Sequence, residues 1–281
     1  MKWLQFFTPV SSITWQEAHE LTKEYPTGEV TFLDVRQPKE YKSGHLPEAK
    51  LIPMGELDSR LGELDKEKPI VIYCAIGGRS RVAAQMLAGK EFKKIYNLTG
   101  GIKAWEKQVA VGPEDIGLHL FSEATTAEEA LIIGFGLEMG LRDFYLSLAQ
   151  KVSSEATRSL FHLLADIEIK HQQRLLTLYQ DLTGEAILED DFAQKVAEPA
   201  LEGGLSTEEY LNLYKTDLES ELEVLGLAMA IEAQALDLYS RAAEQHRAQS
   251  EFRKVMLDIA EEERSHMKKI SDYIDQTAGE A

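Results

Sequence analysis

The chain has 281 residues, enough for about two domains, and 44% of them are apolar, enough to bury real cores. No apolar run reaches the roughly 18 residues that a membrane span requires, and the N-terminus lacks the longer apolar stretch and small-residue cleavage site of a signal peptide, so a cytoplasmic location is expected. A net charge of -18 argues against nucleic acid or an anionic membrane as partner, and a single cysteine rules out an intrachain disulfide, a cysteine-rich zinc site and a four-cysteine iron site.

The charge is uneven along the chain. Residues 1–110 carry 16 Lys and Arg against 14 Asp and Glu, whereas the remainder carries 14 against 34. The first part alternates strand and helix signals. A helical stretch from Thr14 to Tyr25 precedes the β-branched run Val30 to Val35; Ile70 to Tyr73 is a second such run, Arg79 to Ala88 is helical again, and Lys94 to Leu98 is a third strand candidate. The alternation predicts a small parallel α/β sheet, in which ligands collect beyond the carboxyl ends of the strands. Val111, Gly112 and Pro113 end this fold. We therefore expect one domain over 1–110, a linker over 111–125 and a second domain over 126–281.

Cys74 stands at the end of the second of those runs, followed by Ala75, Ile76, Gly77, Gly78, Arg79 and Ser80. The two glycines let the backbone curl so that successive N–H groups point inward, the following helix places its positive end beneath the sulfur, and Arg79 adds a full charge. All three effects favour thiolate over thiol, and the same loop would cradle a bound anion. Most free cysteines are merely small buried hydrophobes, but strand end, glycine loop, arginine and helix start converge here on a nucleophile.

With these features, residues 30–107 resemble the rhodanese family. The resemblance is carried by Asp34-Val35-Arg36, Glu40-Tyr41, Gly44-His45-Leu46-Pro47, Ile52-Pro53, the Cys74 loop, and Asn97-Leu98-Thr99-Gly100-Gly101-Ile102 followed by Ala104-Trp105. It implies a sulfurtransferase: Cys74 attacks a sulfane sulfur from a small donor such as thiosulfate or polysulfide, becomes a persulfide, and passes the sulfur to a thiol acceptor. Four residues separate Cys74 from Arg79, whereas the related phosphatases enclose five in a pocket large enough for phosphate, so sulfur chemistry is favoured. Arg36 could touch substrate or pair with Glu40, and His45 is read as shaping a turn.

The second part is helical. Thr126 to Glu129 forms a capping box, and the apolar spacing predicts four long helices at about 127–152, 155–182, 216–246 and 251–276, with Gly184 closing the second and a short helix around Thr207 to Tyr214 within the connection 185–215. Short joins within each pair and a crossover between the pairs match the ferritin-like four-helix bundle. An internal repeat carries the chemistry. Glu138 is followed by Tyr145 and then by Glu168 and His171; Glu232 is followed by Tyr239 and then by Glu263 and His266. A spacing of three places each Glu and His of a pair on one helix face, and a Glu from each of two helices with a Glu-x-x-His from each of the others is the ligand set of a di-iron carboxylate bundle. Two bridging and two terminal carboxylates balance two divalent ions. Glu138 and Glu232 sit in apolar stretches where an unneutralised charge is costly. His162 and His246 lack glutamate partners and are read as ordinary helix residues, while Tyr145 and Tyr239 are read either as donors to ligand carboxylates or as core.

Residues 127–276 thus resemble the rubrerythrin branch of the ferritin-like superfamily. The resemblance implies a non-haem di-iron site, with manganese as the other candidate metal, that reduces hydrogen peroxide or reacts with oxygen. Two departures stand out. Ala235 occupies the place, three residues beyond Glu232, of an additional glutamate in many rubrerythrins, and there is no rubredoxin module, so electrons must come from a separate donor protein. An iron-storing or ferroxidase module, or a metal-stabilised structural module or homodimerisation scaffold, is the alternative.

Overall fold

The computed structural model describes residues 10–105, 109–124, 126–196 and 207–279. The chain divides into two compact units, Met1–Glu114 and Asp115–Ala281.

The first unit is a five-stranded parallel sheet. Its strands are β1 (Ser11–Ile13), β2 (Thr31–Asp34), β3 (Lys50–Leu51), β4 (Ile70–Tyr73) and β5 (Ile95–Leu98), in the order β1-β5-β4-β2-β3. The helices are α1 (Trp15–Glu24), α2 (Pro38–Lys42) and α3 (Gly78–Ala88). β4 is central, and all four of its residues are buried, as expected of a parallel strand covered on both faces. Its side chains alternate: Ile70, Ile72 and Cys74 join Ala83, Ala84 and Leu87 of α3 in one core, while Val71 and Tyr73 join Phe32, Leu98 and Trp105 in the other. Cys74 therefore leaves the centre of the sheet at its carboxyl edge, directly before α3. The three β-branched runs are all strands; the short edge strands β1 and β3 were not foreseen.

The second unit is a helical bundle built on α4 (Ala127–Ala149), α5 (Glu155–Thr183), α8 (Glu221–Gln245) and α9 (Ser250–Gly279), with the short helices α6 (Glu189–Ala193) and α7 (Thr207–Tyr214) between the two long pairs. Thr126 and Glu129 form the expected reciprocal cap, each side chain accepting the other's backbone N–H at 3.2 Å. Ser154 caps α5, and Gly184, at φ +71°, closes it in the left-handed conformation that glycine adopts without strain. The connection read as 185–215 also contains α6, and residues 197–206 of it lie outside the described residues. Residues 227–239 of α8 are buried without interruption, so this helix is enclosed on all sides. Phe121, from the segment read as a linker, is fully buried in this core beside Tyr239 and Phe252. Among the described residues no helix is long and apolar enough to cross a membrane.

Candidate functional sites

The first site is the Cys74 loop. Gly77 adopts φ +102°, open to glycine and strained for other residues, and this turn aims its N–H at the thiol, donating to Cys74 Sγ at 3.1 Å. The single Ser80 hydroxyl proton has two acceptors within reach, Cys74 Sγ at 3.5 Å and Asn97 Oδ1 at 2.7 Å, and both side chains are buried. Burial, with Cys74 only 1% exposed, pushes the thiol up, but the Ser80 hydroxyl and the backbone N–H groups of Ser80, Ile76 and Gly77 outweigh it and hold Cys74 below its ordinary range. Behind the loop, Ile102 N–H donates to the Cys74 carbonyl at 2.9 Å, and a Cβ on Gly101 would land 2.2 Å from that carbonyl oxygen. The loop is thus pinned from beneath by a turn that has room only for glycine. Asn97 and Gly101 stand in the run that carries the rhodanese resemblance, but what each touches is fixed by the fold.

Arg36 differs from expectation, and Arg79 gains a second partner beside Cys74. Arg36 does not pair with Glu40: it makes a two-pronged bond to the buried carboxylate of Asp34, donates to the Gly44 carbonyl at 2.7 Å, and lies over the Tyr73 ring. Glu40 instead holds Arg79, with Nη1 at 2.8 Å and Nη2 at 2.6 Å from its two carboxylate oxygens. His45 is fully buried, stacked on Tyr41, with Nδ1 3.0 Å from the Tyr41 carbonyl, in keeping with a structural role.

The lowered thiol has a measurable consequence. Alkylation of Cys74 should rise with pH through a midpoint below the roughly 8.5 of a free cysteine. Ser80→Ala removes a donor to the sulfur and should move that midpoint upward. Identical midpoints in the two proteins would show that the hydroxyl does not stabilise the thiolate.

The second site lies inside the bundle. Glu138 from α4 meets Glu168 and His171 from α5, and Glu232 from α8 meets Glu263 and His266 from α9; within each group one ligand atom from every residue lies within 4.8 Å of the others. His171 Nδ1 is 2.8 Å from Glu168 Oε2 and 3.3 Å from Glu138 Oε2, while His266 Nδ1 is 3.3 Å from Glu263 Oε2 and 3.6 Å from Glu232 Oε2. The two imidazoles stack at 3.8 Å between centroids, which joins the groups into one cluster. All four carboxylates are almost wholly buried, and the polar groups that face Glu168 Oε2 and Glu232 Oε2 are the imidazoles of the same cluster. Burial pushes Glu138 and Glu168 above the ordinary carboxylate range. Burial also works against charge on His171, but the adjoining Glu138 and Glu168 hold it protonated, with its pKa raised.

Six clustered ligands of oxygen and nitrogen type, four of them buried carboxylates facing one another, fit a pair of divalent transition-metal ions by chemistry and by charge. The two tyrosines pack in the core, Tyr145 against Phe144 and Phe161 and Tyr239 against Phe121, and the Tyr239 hydroxyl reaches α4 near Gly134, one turn before Glu138. His162 is exposed, and His246 lies against Phe252 at the end of α8. Ala235 is fully buried and offers no ligand atom.

Comparison with known proteins finds a separate family match in each unit. Residues 17–108 match the model of the rhodanese-like domain, and residues 129–219 and 223–281 match the rubrerythrin model. An uncharacterised Bacillus subtilis protein, YqhL, is 42% identical over 73 residues, which are 26% of this chain and 58% of that protein. A putative sulfur carrier protein of the same organism, YrkF, is 38% identical over 76 residues, 27% of this chain and 41% of its own. The thiosulfate sulfurtransferase GlpE of Coxiella burnetii is 35% identical over 94 residues, 34% of this chain and 85% of the relative. The chain thus spans about half the length of the two Bacillus proteins.

Proposed function

Because the chain belongs to the rubrerythrin family and carries a rhodanese-like domain ahead of that module, we propose that it is a cytoplasmic two-domain enzyme, a sulfurtransferase at Cys74 and a di-iron oxidoreductase in the bundle. The observation that carries the first half is the thiol held below its ordinary range by inward-facing N–H groups at the end of a central strand. The Cys74 thiolate attacks the outer sulfur of a donor, the bond from that sulfur to the rest of the donor breaks, and the donor leaves with the electron pair. The Cys74 persulfide then loses its outer sulfur to an attacking thiolate, which regenerates Cys74. Backbone N–H groups of the loop stabilise negative charge at each stage, on the thiolate and on the persulfide alike. The glycine-pinned turn beneath the loop keeps those groups aimed.

The second half rests on the paired Glu/Glu/His groups. Glu138, Glu168 and His171 would hold one ion and Glu232, Glu263 and His266 the other. Bound iron would supply ferrous–ferric redox chemistry, to reduce hydrogen peroxide or oxygen with electrons from a separate donor protein. The protein's own share is to exclude water, to present four ionised carboxylates, and to keep the two imidazoles in register. Steady-state peroxide consumption with a reduced electron donor tests this reading; a protein that binds two irons yet never turns over would be a storage or structural module instead.

Metal should also stabilise the bundle. Buried carboxylates that face one another repel and resist ionisation, and a cation reverses both effects. Preferential binding to the folded state adds RT ln(1 + [L]/Kd), about 4 kcal/mol when free metal is a thousandfold above Kd. Metal depresses the folded-state carboxylate pKa values, so this stabilisation is present above the unfolded glutamate value of about 4.3 and fades as pH falls through the folded values. Chelation at neutral pH should therefore lower the calorimetric transition of the helical unit and leave that of the sheet unit nearly unmoved. Two transitions unchanged after verified metal removal would sink the idea.

A further inference from the structure

Arg79 is the only cationic side chain between Cys74 and Ser80, and an anion drawn to the loop would be expected to meet it. Both of its terminal nitrogens bond Glu40, at 2.8 and 2.6 Å, across 39 residues of sequence, and this pairing outweighs the interaction of the same guanidinium with Cys74. The other nearby guanidinium, Arg36, is buried and bound to Asp34. The loop's most exposed side chain is Ile76, 67% exposed and apolar. The cradle keeps its backbone N–H donors, the guanidinium that also reaches Cys74 has its charge offset by the Glu40 carboxylate, and the exposed Ile76 makes the rim apolar. At such separations opposite charges cancel most of each other's field even where the pair adds little to stability.

We propose that Glu40 selects the sulfur donor: by occupying Arg79 it makes the Cys74 loop a site for persulfides, whose remainder departs as a thiol, in preference to dianionic thiosulfate. The inference rests on the sulfur-transfer reading of Cys74. With thiosulfate, the Cys74 thiolate takes the outer sulfur, the S–S bond breaks, and sulfite leaves carrying two negative charges; a free cation would favour both the approach and the departure. With an alkyl persulfide, the thiolate takes the outer sulfur, the S–S bond breaks, and the proton of the persulfide leaves with the alkyl thiol. That reaction builds up no second negative charge, so N–H donors suffice. Glu40 acts through Arg79 and is a specificity-determining residue that need not touch the donor.

The test is the rate of loading one sulfur atom onto Cys74 of the full chain, followed by quenched mass spectrometry with thiosulfate and with cysteine persulfide as donors. Glu40→Gln keeps an oxygen for the Gln37 N–H that Glu40 accepts at 3.1 Å, so the start of α2 is preserved while the charge on Arg79 is released. The ratio of thiosulfate to persulfide loading should rise about tenfold at low ionic strength and lose most of that gain at high salt. An unmoved ratio, or an equal slowing with both donors, would overturn the role of Glu40. Should Glu40→Gln not fold, Ile76→Lys supplies a cation at the exposed rim and should raise the same ratio with the same salt dependence; no rise would again overturn it. Failure to load from either donor would instead overturn the sulfur-transfer reading itself.

Discussion

Replacing Cys74 by serine is expected to abolish sulfur loading and transfer, a loss of roughly a thousandfold or more, while leaving the fold intact. Treating the unaltered protein with thiosulfate or polysulfide should add the mass of one sulfur atom at residue 74, and cyanide should remove it. Serine fits the same space, and its oxygen can accept from the Gly77 N–H that now reaches the sulfur at 3.1 Å. What it cannot do is ionise at neutral pH, because the groups that hold the Cys74 thiol below its ordinary range start, with serine, from a hydroxyl that is far less acidic. The two steps also need a sulfur to carry a sulfur. Residual transfer by a folded serine variant would place the nucleophile elsewhere, and with one cysteine in the chain no other thiol stands ready.

The second large effect belongs to the bundle. Glu168→Ala combined with Glu263→Ala removes one buried carboxylate from each group and should reduce bound metal from two ions per chain to nearly none, together with any visible absorption and peroxide turnover. Each substitution leaves a cavity, yet each also relieves the repulsion between buried carboxylates while Glu138 and Glu232 remain beside the two imidazoles, so the metal-free double variant should still fold. Sulfur loading at Cys74 should persist, because its nucleophile and its N–H donors belong to a separate core. Two metals retained in the variant would mean that the ligands are misassigned, and loss of sulfur loading in a correctly folded variant would mean that the two chemistries share one active site.

Much of this was legible in the chain itself, wherever the signal is local. A run such as Ile70 to Tyr73 can be buried on both faces only as a central strand, Thr126 and Glu129 satisfy each other's N–H groups within one turn, and a Glu and a His three residues apart share a helix face in any helix. The doubling of the Glu-x-x-His pattern points to a two-ion cluster from helix geometry alone. β1 and β3 were not legible, because strands of three and two residues such as Ser11–Ile13 and Lys50–Leu51 carry no periodicity and exist through pairing with β5 and β2. The stacking of His171 on His266 depends on how two helix pairs pack, which neither motif encodes.

The charge at the Cys74 loop shows the division most sharply. From the sequence, Arg36 is free to take Glu40, a locally reasonable statement, since charge attracts charge whatever the chain path. The fold decided otherwise. Arg36 lies two residues from Asp34 at the carboxyl end of β2, where both side chains are buried and must neutralise each other, and α2 brings Glu40 to Arg79. The sequence determines which charges are present, but partner choice is a matter of distances below 3 Å and of which groups lose their water, and those are set only when strand and helix are brought together.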